Sequence, residues 1–119
     1  MKFLVLSAVL ALALADSYKS DYDSLDIAPI VNDPEALSKL TACFLDKGPC
    51  TPIAADFKTY LPDATETACS KCNTAQKQKL KLYLQKVKET SPDDLAALKA
   101  KYDPDSKHVD ALIAALKEV

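Results

Sequence analysis

Cys43-Phe44-Leu45-Asp46-Lys47-Gly48-Pro49-Cys50-Thr51-Pro52 is the stretch on which the fold turns, because it holds one helix stop and one helix start between and just beyond two cysteines. Upstream, Asp33 caps a helix with Pro34 at its first position and Leu37, Leu40 and Phe44 on one face. That helix stops before Gly48, the only glycine in the chain. Downstream, Thr51 caps the next helix, with Pro52 at its first position. Ile53, Phe57, Tyr60 and Leu61 form its apolar stripe, and Pro62 is expected to bend or break its far end.

The same punctuation divides the rest of the chain. A short helix fits between Asp23 and Val31. A long one from about Asn73 to Glu89 sets a lysine-rich side (Lys77, Lys81, Lys88) against an apolar side of Leu80, Leu84 and Val87, flanked by Tyr83. Ser91-Pro92 opens a fifth helix with acidic residues in its first turn and Leu95, Leu98 and Tyr102 inside, ending at Asp103-Pro104. The last, about Lys107 to Lys117, carries Val109, Leu112, Ile113 and Leu116 in a narrow docking stripe. Few β-branched residues and abundant Ala, Leu and Lys leave no competing strand, so the fold class is all-α with six helices.

At the N-terminus Lys2 precedes an apolar run from Phe3 to Ala15, too short to span a bilayer and ending in Ala13-Leu14-Ala15 before Asp16. This reads as a signal peptide over residues 1–15, leaving 16–119 as a single exported domain. The formal net charge is −2, and every basic residue except the histidine is a lysine. A net-acidic chain without arginine is a poor partner for nucleic acid and has no planar fork for clamping phosphate or carboxylate. A carboxylate is therefore expected to gain little over a neutral polar group in binding to this chain.

Cys69-Ser70-Lys71-Cys72 follows eighteen residues after Cys50. An even number of cysteines in an exported chain points first to disulfides. Zinc is a weaker reading, because the spacing is irregular and the single histidine, His108, is distant. A redox pair at Cys69 and Cys72 would need a βαβ setting that this sequence does not form. Four cysteines allow three pairings, and their spacing does not choose among them.

Together with Leu61-Pro62-Asp63-Ala64 and Ala100-Lys101-Tyr102-Asp103-Pro104, the two cysteine stretches resemble the insect chemosensory protein family over about Tyr22 to Pro104. The resemblance implies six helices wrapped around an apolar cavity, with Cys43 paired to Cys50 and Cys69 to Cys72. It also implies a secreted monomeric carrier of semiochemicals or long-chain fatty alcohols, esters or acids, with no cofactor and no membrane insertion. By alignment to the cysteines, the implied ligand-binding residues are Leu40, Phe44, Ile53, Phe57, Leu61, Leu80, Tyr83, Leu84, Val87, Leu98 and Tyr102. Tyr83 and Tyr102 stand out, since a buried phenol needs a partner that a ligand headgroup could supply. The chain departs from the family pattern at Leu40 and Leu95, which replace a tyrosine and a tryptophan, and at Ser106 and His108, which replace a glycine and an aromatic residue.

An enzyme would need a positioned nucleophile or acid–base pair. No Gly-x-Ser-x-Gly, phosphate-cradling loop or His-rich metal set is present, and Asp93-Asp94 reads as helix-start charge. No catalytic or metal-binding residue is assigned. A secreted structural or developmental factor acting through its surface is the alternative. His108 reads as an exposed histidine, with a pH-dependent latch as the other reading.

Overall fold

Helices begin where a side chain can take up the first free amide hydrogens. In the computed structural model, which describes residues 22–119, six helices are seen: α1 (Ala28–Val31), α2 (Pro34–Phe44), α3 (Pro52–Glu66), α4 (Thr74–Thr90), α5 (Pro92–Tyr102) and α6 (Val109–Leu116). The run read as a signal peptide lies outside the described residues. Asp33 accepts from the Glu35 N–H at 3.0 Å and Thr51 Oγ1 from the Ala54 N–H at 3.1 Å. Asn73 and Gln76 close a reciprocal capping box, each side chain accepting from the other's backbone N–H.

Three boundaries differ from the sequence reading. The first helix does not start at Asp23. The Asp26 carboxylate accepts from the Ala28 N–H at 3.0 Å, a local bond that competes with helix and confines α1 to four residues. The third helix is not broken at Pro62 but runs on to Glu66. Proline there removes one N–H from an exposed position of the last turns, and the helix persists because Ala64 and Thr65 beyond it are buried. The last helix begins at Val109, since the Asp103 carboxylate already holds the amides of Lys107 and His108.

The two cysteine turns share one design. Cys43 is bonded to Cys50 and Cys69 to Cys72, the pairing that the resemblance implies. The first bridge spans the end of α2 and the second follows the end of α3, and at both ends the second residue past the helix has a left-handed backbone: Asp46 (φ 61°) and Ala68 (φ 55°), the latter followed by Cys69 in the same region (φ 61°). The next residue's N–H then bonds back into the helix, Lys47 to the Ala42 carbonyl and Cys69 to the Ala64 carbonyl, both at 2.8 Å. The left-handed residue after α2 is thus Asp46, and Gly48 does not adopt that conformation. Alanine in this region is strained by ~1–2 kcal/mol, whereas glycine is not. Ala68→Gly is therefore expected to stabilise the protein by about 0.5–1 kcal/mol after the larger unfolded-state entropy of glycine is deducted. Urea denaturation measures it, and a destabilised variant would refute the strain argument.

The core has two parts. Ile27, Val31, Leu37, Phe44, Ala54, Tyr83, Val87 and Leu98 form the larger, and Ala64, Cys69, Leu112 and Leu116 the smaller. Leu80 and Leu84, one turn apart on α4, pack against both. Helix α4 is consequently the axis of the molecule: α1, α5 and α6 pack on it, while α2 pairs with α3.

Candidate ligand-binding cavities

Two adjoining apolar cavities, each partly open to solvent, lie between the helices. The first, about 200 Å³, lies between α1, α2, α3 and the first half of α4. The second, about 270 Å³, lies between α3, α4, α5 and α6. Leu61, Leu80 and Tyr83 line both, so these side chains are the wall between them.

The sequence-derived residues divide accordingly. Leu40, Phe44, Ile53 and Phe57 line only the first cavity, whereas Leu84, Leu98 and Tyr102 line only the second. Ile53 is partly exposed at 38% and stands at a rim. Val87 lines neither cavity: it is 1% exposed and packed in the larger core. Sequence reasoning did not select Leu25, Ile27 and Ile30, which cover the first cavity, or Leu112, Ile113 and Leu116, which cover the second. For α6 the signal was present, since its stripe marks the face that now roofs a cavity. Leu95, one of the departures from the family pattern, also lines the second cavity.

Both tyrosine hydroxyls already have protein partners. Tyr83 OH and Thr41 Oγ1 lie 2.7 Å apart in a buried hydrogen bond, and the Tyr83 ring meets Phe44 edge-on at 5.3 Å. Burial pushes the Tyr83 phenol well above its ordinary pKa, the Thr41 bond offsetting part of this, so it stays protonated at any physiological pH. Tyr102 donates to the Phe44 carbonyl at 2.6 Å, satisfying one of the carbonyls left free at the end of α2. The role expected for a ligand headgroup is filled within the protein at both positions.

The start of the helix that roofs the second cavity is held by one side chain. Asp103, 3% exposed, accepts backbone N–H bonds from Lys107, His108 and Val109 at 3.0, 3.1 and 3.0 Å. Burial alone would raise its pKa, but the three amides outweigh burial and hold the carboxyl below its ordinary value of 3.8. Ser106, left-handed at φ 55°, turns the chain so that these amides converge. His108 is half-buried rather than exposed, because its own amide is one of the three. Past the end of α2, Asp46 receives Lys101 and Lys58, whose ammonium groups lower its pKa to about 2 and tie α5 and α3 to the end of α2.

The lysines of α4 do not all face away from the apolar interior. Lys81 and Lys88 line the second cavity, together with Lys99 from α5 and Lys117 just after α6. The first cavity has a single lysine, Lys79, which donates to the Asp23 carbonyl at 2.8 Å.

Residues 18–110 match the model of the insect pheromone-binding family, A10/OS-D. The chain is 35% identical over 112 residues to ejaculatory bulb-specific protein 3 of Drosophila melanogaster, covering 92% of this chain and 89% of that one. The fold is similar to that of a chemosensory protein in complex with bromo-dodecanol, with a TM-score of 0.75, 24% identity, and coverage of 82% of this chain and 98% of the other. It is also similar to antennal chemosensory protein A6 from the moth Mamestra brassicae, with a TM-score of 0.68, 25% identity, and coverage of 85% and 94%.

Proposed function

Because the chain belongs to the insect pheromone-binding family A10/OS-D, we propose that it is a secreted, monomeric carrier that holds a small apolar molecule between its helices and catalyses no reaction. The observation that carries this reading is the pair of cavities that share Leu61, Leu80 and Tyr83 in their linings. Each alone falls below the ~300 Å³ at which small-molecule sites usually begin, and joined they exceed it. An alkyl chain lying across the shared wall would bury its length in both.

The staples favour such an adjustment. Neither disulfide links distant helices, since their sequence separations are 7 and 3. Each fixes a turn, and the helices around the cavities are held by side-chain packing that a guest can displace. Two disulfides also suit an oxidising compartment outside the cell, with residues 1–15 as the export leader. The ligand-binding residues under this reading are Leu40, Phe44, Ile53, Phe57, Leu61, Leu80, Tyr83, Leu84, Leu98 and Tyr102, with Leu112, Ile113 and Leu116 added from α6.

Displacement of a fluorescent naphthylamine probe tests it. Dodecanol, the unbrominated form of the guest in the protein of the same fold, and hexadecanol are expected to compete at about micromolar concentration. Apolar burial at ~25 cal/mol per Å² is offset by ordering of chain and helices. Leu84→Asp, which sets a carboxylate against the second cavity, is expected to weaken binding at least ~10-fold. Unchanged probe binding in a folded Leu84→Asp protein, or no competition by any long-chain alcohol, acid or ester, would exclude an interior site.

A further inference from the structure

We propose, on the carrier reading, that the second cavity is a subsite for an anionic amphiphile, with its alkyl chain against Leu84, Leu98 and Ile113 and its carboxylate among Lys88, Lys99 and Lys117. The three lysines come from three different places, α4, α5 and the residue after α6, so their meeting at one cavity is a product of the fold rather than one helix's solvated face. The rim also runs against composition. The chain has 17 acidic and 15 basic residues, yet no aspartate or glutamate lines this cavity.

Among the other described lysines, Lys39, Lys58, Lys71, Lys86 and Lys101 are in ion pairs, and Lys47, Lys77 and Lys107 line neither cavity. Lys81, the fourth lysine of the rim, donates to the main-chain oxygen of Val119 at 2.7 Å. The ammonium groups of Lys88, Lys99 and Lys117 have no ion pair or hydrogen bond among the described residues. They are exposed, so a headgroup among them stays hydrated while the chain below it is buried, which is the arrangement an ionised amphiphile needs. At the first cavity the single lysine, Lys79, is already engaged, so the second cavity alone offers uncommitted positive charge. The absence of arginine removes two-pronged recognition, but three point charges around one apolar opening still discriminate by charge.

Competition by hexadecanoate and by methyl hexadecanoate for the same fluorescent probe, at about pH 8 where the acid is ionised, separates the readings. Hexadecanoate is expected to bind roughly three- to tenfold more tightly at low salt. The advantage should shrink as salt screens the exposed charges. The triple variant Lys88→Gln, Lys99→Gln, Lys117→Gln is expected to lose it while binding the ester as before. Equal affinity for acid and ester in the unmodified protein would overturn the subsite and leave the carrier reading standing, as would an advantage that survives in the triple variant. Failure of both compounds would overturn the carrier reading itself. Co-sedimentation with vesicles of phosphatidylcholine and phosphatidylserine separates a free amphiphile from a bilayer headgroup. Binding to vesicles without binding of dissolved hexadecanoate would overturn the subsite.

Discussion

Asp103→Ala is expected to lower the melting temperature by roughly 5–10 °C, the scale set by losing a helix cap in a domain of about 100 residues. The substitution leaves three part-buried amides, those of Lys107, His108 and Val109, without their acceptor. Nothing else at that end of α6 replaces it, because His108, its N-terminal flanking residue, makes no side-chain cap bond. Since α6 roofs the second cavity, the same variant should bind amphiphiles more weakly. Asp103→Asn keeps one carbonyl acceptor and should fall between the two. The charge also makes the roof acid-sensitive. The folded carboxyl has a pKa below the ordinary 3.8, so its stabilisation is complete above about pH 5 and is lost as pH falls through the folded value. Thermal melts from pH 7 to 3 should show a steeper loss below pH 4 in the unmodified protein than in Asp103→Asn. Parallel curves would show that Asp103 is not the group responsible.

Tyr83→Phe is expected to cost about 1–3 kcal/mol although it removes a single oxygen. Thr41 is 2% exposed, and the variant strands its hydroxyl in the core without the partner it has at 2.7 Å. Thr41→Val should be costly for the reciprocal reason. The double variant Thr41→Val, Tyr83→Phe replaces both partners with apolar groups of similar shape and should recover most of the loss. Urea denaturation of the four proteins yields the coupling directly, and strictly additive losses would show that the two hydroxyls act independently. Because Tyr83 lines both cavities, releasing its ring from Thr41 should also loosen the wall between them, which faster probe exchange would report.

The helix starts were the most legible part of the sequence. Asp33-Pro34 and Thr51-Pro52 state their caps in adjacent residues, and the structure uses both as read; Asn73, read only as the start of the long helix, also caps it. The first helix was less legible because Asp26 has two local options, helix or a bond to the Ala28 amide, and only tertiary packing selects between them. Asp103 was read as the end of α5, since its reach to residues four, five and six further on depends on the left-handed turn at Ser106. For the site, periodicity marks Leu84 and Val87 alike as inward-facing. Whether an inward side chain meets another side chain, as Val87 does, or a void, as Leu84 does, depends on the spacing between helices. Lys81 and Lys88 were read as a solvated side for the same reason: the sequence shows the α4 face they occupy but not that α5 and α6 bring further lysines to the same opening.

The shortness of the two sulfur bridges has a consequence for how the protein is made. Cys50 follows Cys43 closely enough to meet it as soon as the turn after α2 leaves the synthetic machinery, and Cys72 stands in the same relation to Cys69. In a nascent chain the first pair emerges before the second, so vectorial synthesis itself opposes crossed bridges. Oxidation then needs no prior collapse of the molecule, and a reducing episode later in the protein's life opens two small rings without unthreading any part of the chain.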